Sequence, residues 1–283
     1  MSDWRATLLM RRATSSLSPT ERRWSNSPLS VFQVHPLLRQ MERRGEIMSI
    51  PPLKNIYQVI VPYARSSAIE EYEILMEIHP YAALSHLSAL AFHGLTDELP
   101  KVITTFIPTD GIGDLLPPGT TIDDWEGLAL IRGRHPAQIL GRPVRWTGTK
   151  LARYFGTYEY RPRGYPIRVT TAERTLLDGL LQPALSGGLT NVLKAWTAAR
   201  DMLDLEALIA YVERFDINVL RQRVGFILEE LTFTHAQLDR WQAHASRGGS
   251  SKLSASEPYA PTFNERWNLS LNAPTDVLRE DLG

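Results

Sequence analysis

The chain has 283 residues, of which 43% are hydrophobic, and its 31 basic residues are balanced by 31 acidic ones. It has no cysteine, which excludes structural disulfides and thiolate chemistry. It has no run of about 18 apolar residues, so the sequence predicts no membrane-spanning helix. The apolar patch at residues 6–10 is too short for a secretion signal. We therefore expect a cytoplasmic protein of two or three domains.

Basic residues are concentrated near the N-terminus. Residues 1–65 contain ten Lys and Arg against four Asp and Glu, a net charge of +6, which leaves −6 for the rest of the chain. A basic region in a neutral protein is typical of binding to a polyanion at that end. A merely solvated basic face is the alternative interpretation of the same count.

The first elements follow from local signals. Residues 4–10 predict a short helix, and Ser18-Pro19-Thr20-Glu21 predicts a second helix that begins near Pro19 and ends before Pro28. A third helix carries Val34, Leu38 and Met41 on one face. Pro36 predicts either a short first turn at 30–34 followed by a kink, or a late start near His35.

The third helix is followed by the pattern of a β-hairpin. Gly45 is placed to end the helix, behind two arginines in its last turn. Ile47 begins a strand, residues 51–55 form the tip, and residues 55–61 alternate as a second strand. Helix, glycine stop, strand, tip and strand predict a winged helix-turn-helix over residues 1–65, a motif that usually binds DNA.

The rest of the chain predicts an α+β protein. A mixed α/β domain over 66–170 follows the winged helix-turn-helix, and a mostly helical region covers 171–283. The predicted helices are 68–78, 82–92, 171–182, 188–200, 204–214, 217–232 and 235–245. The predicted strands are 101–107, 128–132, 143–147, 158–160, 165–169 and 267–271. Residues 108–127 and 246–258 are predicted loops.

Candidate DNA contacts cluster around the third helix. Polar side chains early in the helix are expected to read bases, and cations along it and before it to contact phosphates. The base readers are Ser30, Gln33 and His35, and the phosphate contacts are Arg22, Arg23, Ser25, Asn26, Arg39, Arg43 and Arg44. Lys54 and Asn55 at the hairpin tip are expected to reach an adjacent minor groove. Each of them alone is equally well explained as a solvated surface residue.

Other chemistry has weaker support. His79, His86 and His93 recur every seven residues, but Pro80 interrupts the helix and no further ligand completes a metal site. Glu173, Arg174 and Asp178 are explained by pairing within one helix, and Asp123-Asp124 by solvation. The sequence therefore predicts no enzyme, no metal and no cofactor.

Three segments resemble a known family. They are Ala83-Leu-Ser-His-Leu-Ser-Ala-Leu-Ala-Phe-His-Gly-Leu-Thr96, Thr171-Ala-Glu-Arg-Thr-Leu-Leu-Asp178 with Pro183 and Gly187-Gly188-Leu189, and Trp267-Asn-Leu-Ser-Leu-Asn272. With the predicted N-terminal motif in front of them, the chain resembles the AbiEi family of antitoxins from type IV toxin–antitoxin, or abortive-infection, systems. Pro36 and Pro51-Pro52 depart from the pattern of the family's DNA-binding region.

The resemblance implies a transcriptional autorepressor that binds inverted repeats upstream of its own operon. It also implies a neighbouring nucleotidyltransferase-like toxin, which the C-terminal part counteracts without a stable complex. Self-association on the operator stays open. Residues 1–65 are then expected to suffice for DNA contact and 66–283 for neutralisation. Two alternatives remain: an acidic C-terminal half that masks the toxin directly, and a DNA-targeted nuclease using Asp123, Glu173 and Asp178.

Overall fold

The structure is a computed structural model that describes residues 1–18, 20–21, 27–61, 70–246 and 251–279. The chain is a mixed α+β protein, and its contacts divide it into two units. Unit 1 comprises residues 1–82, 111–141 and 159–168, and unit 2 comprises 83–110, 142–158 and 169–283. The predicted border at 65/66 falls within residues 62–69, which lie outside the described residues. The division into three domains stays a prediction.

Unit 1 begins with helix α1, Asp3–Ser16, whose first turn is capped by the Ser2 side chain accepting the Arg5 N–H. The helix runs beyond the predicted end at residue 10, because the following Arg-Arg-Ala residues favour helix and no breaker interrupts them. The helix predicted from Pro19 falls mainly on residues 19 and 22–26, which lie outside the described residues.

Helix α2, His35–Arg43, follows a 3-10 turn at Val31–Gln33. The structure has the short turn predicted within 30–34, and it also confirms the alternative of a late start, because α2 begins at His35. The predicted kink is wrong, since Pro36 lies in the first turn of the α-helix, where a proline removes no helical hydrogen bond. The predicted glycine stop is confirmed, with Gly45 at φ +72°. The N–H groups of Gly45 and Glu46 donate to the carbonyls of Glu42 and Met41, each at 3.0 Å, which is a Schellman ending.

The predicted hairpin is also confirmed. Strands β1, Ile47–Ser49, and β2, Tyr57–Val59, pair antiparallel with Ile47 opposite Val59. Helices α1 and α2 and the hairpin share a small core. Its buried members are Ala6, Val34, Leu38 and Ile47. Burial of a Val, Leu or Ile side chain stabilises a fold by about 1.5–3 kcal/mol, so these contacts fix the hairpin against the helices.

Further helices and strands follow the hairpin along the chain. The helices are α3 Glu71–Ile78, α4 His86–Phe92, α5 Ala172–Leu181, α6 Leu189–Ala199, α7 Leu205–Phe215, α8 Asn218–Glu230 and α9 Ala236–Ala243. The strands are β3 Ala83–Leu84, β4 Ile103–Pro108, β5 Gln138–Ile139, β6 Arg142–Thr149, β7 Thr157–Tyr160, β8 Ile167–Thr170, β9 Phe263–Asn264 and β10 Leu269–Ser270. No helix in the described part of the chain combines the length and apolarity needed to cross a bilayer.

A six-stranded sheet has the order β5-β6-β4-β3-β8-β7. Strand β4 runs parallel to β6, with Ile103 opposite Val144, and antiparallel to β3. Strand β3 pairs parallel with β8 through Leu84 and Val169. The helix predicted over 82–92 is wrong at its start, because two residues there join the sheet instead. A strand of two residues has no periodicity by which the sequence reveals it.

The strand predicted over 128–132 is wrong. Residues 128–132 contain no strand, although Leu128, Leu130 and Ile131 pack on a cluster of Trp4, Leu8 and Trp125. A short apolar run marks burial, and burial does not by itself require a pleated backbone.

The helices predicted between 171 and 245 are confirmed as α5 to α9, with ends shifted by one or two residues. They enclose the main core of unit 2, where Leu176, Val192, Trp196 and Trp267 are almost fully buried. Strands β9 and β10 form a separate antiparallel pair, which confirms the predicted strand near 267–271.

Candidate nucleic-acid interface

Helix α2 has one buried and one exposed face. Val34 and Leu38 are buried in the small core of unit 1, and Met41 packs against it. At about 100° per residue, Arg39 and Arg43 fall on the opposite face, and both are exposed. The sequence thus places cations where a ligand approaching α2 meets them.

Several basic residues of the N-terminal region already have partners inside unit 1. Arg5 Nε lies 2.6 Å from a Glu77 carboxylate oxygen, and Arg12 Nη2 lies 2.6 Å from Asp124. Arg11 donates to the backbone carbonyls of Pro28 and Glu126 at 2.9 and 2.6 Å. The net charge of +6 therefore overstates the positive charge available to a ligand. Three of the ten basic residues of this region, Arg5, Arg11 and Arg12, are already bonded within unit 1.

The predicted phosphate contacts Arg39, Arg43 and Arg44 remain exposed. Arg43 Nε donates to the Arg39 carbonyl at 3.4 Å, and Arg44 Nη1 lies 3.7 Å from the Glu46 carboxylate. An exposed ion pair of that length contributes about 0–1 kcal/mol, so it leaves the guanidinium ready to exchange its partner for a phosphate. The other predicted phosphate contacts, Arg22, Arg23, Ser25 and Asn26, lie outside the described residues.

The predicted base readers occupy the beginning of α2. The side-chain oxygen of Gln33 accepts the Leu29 N–H at 2.7 Å, which leaves its amide nitrogen for a base. Ser30 is half-buried, and its carbonyl accepts the Gln33 N–H at 3.3 Å. His35 is half-buried, with Nε2 3.2 Å from an Asp3 carboxylate oxygen.

Asp3, in the first turn of α1, contacts both α2 and the tip of the β1–β2 hairpin. Its carboxylate contacts His35 on α2 and accepts the Asn55 side-chain N–H at 2.8 Å, while the Asp3 N–H donates to the Asn55 carbonyl at 3.2 Å. Asn55 has φ +58°, a conformation that Asn tolerates better than most residues. His35 and Asn55, two of the predicted DNA contacts, thus hold the helix and the hairpin tip together through Asp3.

Lys54, next to Asn55 at the tip, is exposed, and its carbonyl accepts a hydrogen bond from Arg134 at 2.7 Å. The role of Asp3 was not predicted, because an acidic residue in the first turn of a helix is already explained by the helix dipole. No local signal connects residue 3 to residues 35 and 55.

A buried carboxylate anchors α1. Glu77 accepts the Ser2 N–H at 2.8 Å, the Arg5 guanidinium at 2.6 Å and the Tyr165 hydroxyl. Burial would raise the pKa of Glu77, but Arg5, the N-terminal ammonium and these hydrogen bonds together hold it below its usual value. Removing one partner of a buried ion pair leaves the other charge buried without a partner, which is strongly destabilising. This network therefore holds α1 in place, and with it Asp3.

The residues of the nuclease alternative have contacts of their own. Asp178 pairs with Arg174 at 2.9 Å, and Glu173 accepts the Asp204 N–H at 3.1 Å. Asp124, the neighbour of Asp123, pairs with Arg12, which lowers the pKa of Asp124 to about 2. Within the described residues, no three His, Asp or Glu side chains lie close enough together to hold a metal ion.

The three predicted histidines are all in packed surroundings. Burial lowers the pKa of His79 to about 4, and it lowers the pKa values of His86 and His93. His93 Nε2 lies 2.7 Å from the Thr170 carbonyl, and His86 Nδ1 lies 2.9 Å from the Ser85 hydroxyl. His93 thus bonds from the end of α4 to strand β8, whereas His86 bonds to its neighbour in the chain.

Comparison with known proteins identifies a fold relative. No family model matches the chain, and no curated protein matches its sequence. The chain is similar in structure to RV2827C protein from Mycobacterium tuberculosis, with a TM-score of 0.50 and 14% sequence identity. The similarity covers 88% of this chain and 82% of that one, and at this identity it concerns the fold alone.

Proposed function

We propose that this chain is an antitoxin and transcriptional autorepressor of a type IV toxin–antitoxin operon. Residues 1–65 act as a winged helix-turn-helix that binds an inverted-repeat operator, and the C-terminal part counteracts a nucleotidyltransferase-like toxin. The protein works in the cytoplasm, without a cofactor, on double-stranded DNA.

The observation that carries the DNA-binding part is the exposed basic face of α2 beside the β1–β2 hairpin. Arg39 and Arg43 lie opposite the buried Val34 and Leu38, and Arg44 follows them. Exposed guanidinium groups on one helix face suit phosphate groups on either side of a groove. Gln33, at the start of the same segment, has an amide nitrogen that suits an acceptor on a base edge.

The antitoxin part rests on the resemblance of residues 83–96, 171–178 and 267–272 to the AbiEi family. His93 of the first segment contacts the carbonyl of Thr170, the residue immediately before the second segment. Trp267 of the third segment is buried against Gly225 of α8. Unit 2 is therefore the part of the chain in which substitutions are expected to affect neutralisation.

The proposal is tested in cells carrying a reporter fused to the DNA upstream of the gene, with the neighbouring gene under separate induction. We expect the wild-type protein to repress the reporter and to restore growth when the neighbouring gene is induced. Arg39→Ala/Arg43→Ala is expected to lose repression and to keep growth rescue. Lys194→Ala/Arg240→Ala, which removes one exposed cation each from α6 and α9, serves as the charge-matched control and is expected to keep both.

Reporter expression that is unaffected by the wild-type protein would contradict the autorepressor part. Failure to rescue growth would contradict the antitoxin part. Rescue accompanied by stable co-purification of the two proteins would replace indirect neutralisation by direct masking of the toxin.

A further inference from the structure

Two large apolar side chains are exposed where α2 begins. Leu29 exposes 62% of its surface and Phe32 exposes 76%. Neither belongs to the small core that Val34 and Leu38 form with α1 and the hairpin. Phe32 lies in the 3-10 turn at Val31–Gln33, and Leu29 lies just before it, separated from the turn by the extended Ser30.

Hydrogen bonds fix the backbone that carries Phe32. The Val34 N–H donates to the Val31 carbonyl at 3.1 Å, and the Leu29 N–H donates to the Gln33 side chain at 2.7 Å. The Phe32 ring lies edge-on to the His35 ring, with centroids 5.7 Å apart, and His35 contacts Asp3. The exposed ring therefore belongs to an ordered turn that leads into a helix.

Phe32 belongs to the 3-10 turn before α2, and its ring contacts His35 in the first turn of α2. Arg39 and Arg43 follow His35 at intervals of four residues, so they lie one and two turns further along the same side of α2, and both are exposed. A protein partner that covered only the apolar ring would leave these guanidinium groups beside it without a counterion. A DNA duplex offers phosphates to the cations and, between them, one apolar group on the floor of the major groove, the thymine methyl group.

We propose that Phe32 is a specificity-determining residue that contacts a thymine C5-methyl group in the major groove, with Leu29 packed beside the same base step. This inference rests on the proposed DNA-binding function and names the base that it reads. It predicts that an operator half-site contains a thymine whose methyl group, and not only its hydrogen-bonding edge, contributes to affinity.

The test replaces each thymine of the bound site, one at a time, by deoxyuridine, which pairs identically but lacks the methyl group. Binding of the full chain is measured by fluorescence anisotropy. Loss of one buried methyl group is expected to weaken wild-type binding by about fourfold at the thymine that Phe32 contacts. Phe32→Ala is expected to bind thymine and deoxyuridine duplexes equally at that position.

Leu99→Ala is the matched control, since Leu99 is 88% exposed and belongs to unit 2. It is expected to keep the wild-type preference for thymine. Unfolding curves of Phe32→Ala are expected to match the wild type, because the ring contributes little to the core.

Tight and selective wild-type binding with every deoxyuridine substitution tolerated would overturn the role of Phe32 and leave the proposed DNA binding intact. Absence of any selective binding would reject the DNA-binding function and this inference with it. A changed oligomeric state of Phe32→Ala without DNA, together with an unchanged preference for thymine, would show that the exposed pair contacts a second copy of the chain and would also overturn the proposal.

Discussion

At the scale of single residues, Asp3 determines how the candidate DNA-binding elements are held. Its carboxylate contacts His35 at the start of α2 and Asn55 at the hairpin tip. A recognition helix and a wing engage one duplex together only if their separation is fixed, because each added degree of freedom costs conformational entropy on binding. We therefore regard Asp3 as a positioning residue that makes no contact with DNA itself.

The variant Asp3→Ala is expected to weaken binding to the operator by roughly tenfold, because one to two charge-assisted hydrogen bonds are lost. Binding to scrambled DNA is expected to change little, since Arg39, Arg43 and Arg44 remain. Anisotropy titrations on both duplexes measure the two effects, with Asp97→Ala in unit 2 as the matched control. An equal change on both duplexes would contradict a positioning role.

His79 links stability to pH. Burial, and then the charge of His135, lowers the pKa of His79 to about 4 from 6.5. Because the folded pKa is the lower one, the unfolded chain binds more protons between these values. The stabilisation is therefore complete above pH 6.5 and is lost as the pH falls towards 4. Burial lowers the pKa values of His86 and His93 as well, which acts in the same direction.

The free energy of unfolding is therefore expected to decrease between pH 7 and pH 5, with His79 contributing on the order of 3 kcal/mol over its full titration. The change is measured by urea unfolding at several pH values. His79→Phe keeps a ring at the site and removes the titration, so its pH dependence is expected to be weaker. An unchanged pH dependence in this variant would show that other groups cause the loss.

At the scale of elements, the sequence reveals features that depend on neighbouring residues, and it does not reveal contacts between residues far apart in the chain. Helix α2, its Gly45 ending and the two hairpin strands were predicted because capping, periodicity and turn residues lie within a few positions of one another. The Arg5–Glu77 pair joins residues 72 apart, and no pattern in the sequence connects them. The sequence does not reveal the exposure of Phe32 for a different reason, which is that an apolar residue in a helical turn is ordinarily expected to be buried.

Residues 267–272, the third segment that resembles the AbiEi family, pack closely against the rest of unit 2. The Trp267 ring lies where a Cβ at Gly225 would stand, with only 2.1 Å between the ring and that position. The Trp267 indole N–H also donates to Glu229 at 2.6 Å. Asn272 ties the preceding segment by donating to the carbonyls of Ser254 and Glu257 at 2.9 and 3.0 Å. The glycine thus lets the chain end pack closely against α8.

The variant Gly225→Ala tests this packing. Helix propensity alone would make the alanine more stable by about 1 kcal/mol. The clash with Trp267 is expected to reverse the sign and to destabilise unit 2 by about 1–3 kcal/mol. Urea unfolding measures the difference, and Gly225→Ala combined with Trp267→Leu is expected to recover part of it. A more stable single variant would contradict the close contact.

At the scale of the whole molecule, the α+β class and the run of helices after residue 171 could be predicted from the sequence. The composition of unit 1, which joins residues 1–82 to two later segments, 111–141 and 159–168, could not. The reason is physical: Trp4 packs on Trp125, and Arg12 pairs with Asp124, so α1 is completed by residues more than 100 positions away. A fragment of residues 1–65 lacks these partners, and we expect the isolated fragment to be unstable.

We propose above all that the exposed basic face of α2 binds the operator. This claim is tested with the full chain on the DNA upstream of its own gene. The direct measurement is the affinity of the wild type and of Arg39→Ala/Arg43→Ala for this DNA and for a scrambled duplex, over a range of salt concentrations. We expect selective wild-type binding, with the logarithmic salt slope reduced by about two in the double variant, one for each phosphate contact removed. Equal affinity of the wild type for both duplexes, or an unchanged salt slope in the double variant, would contradict the claim.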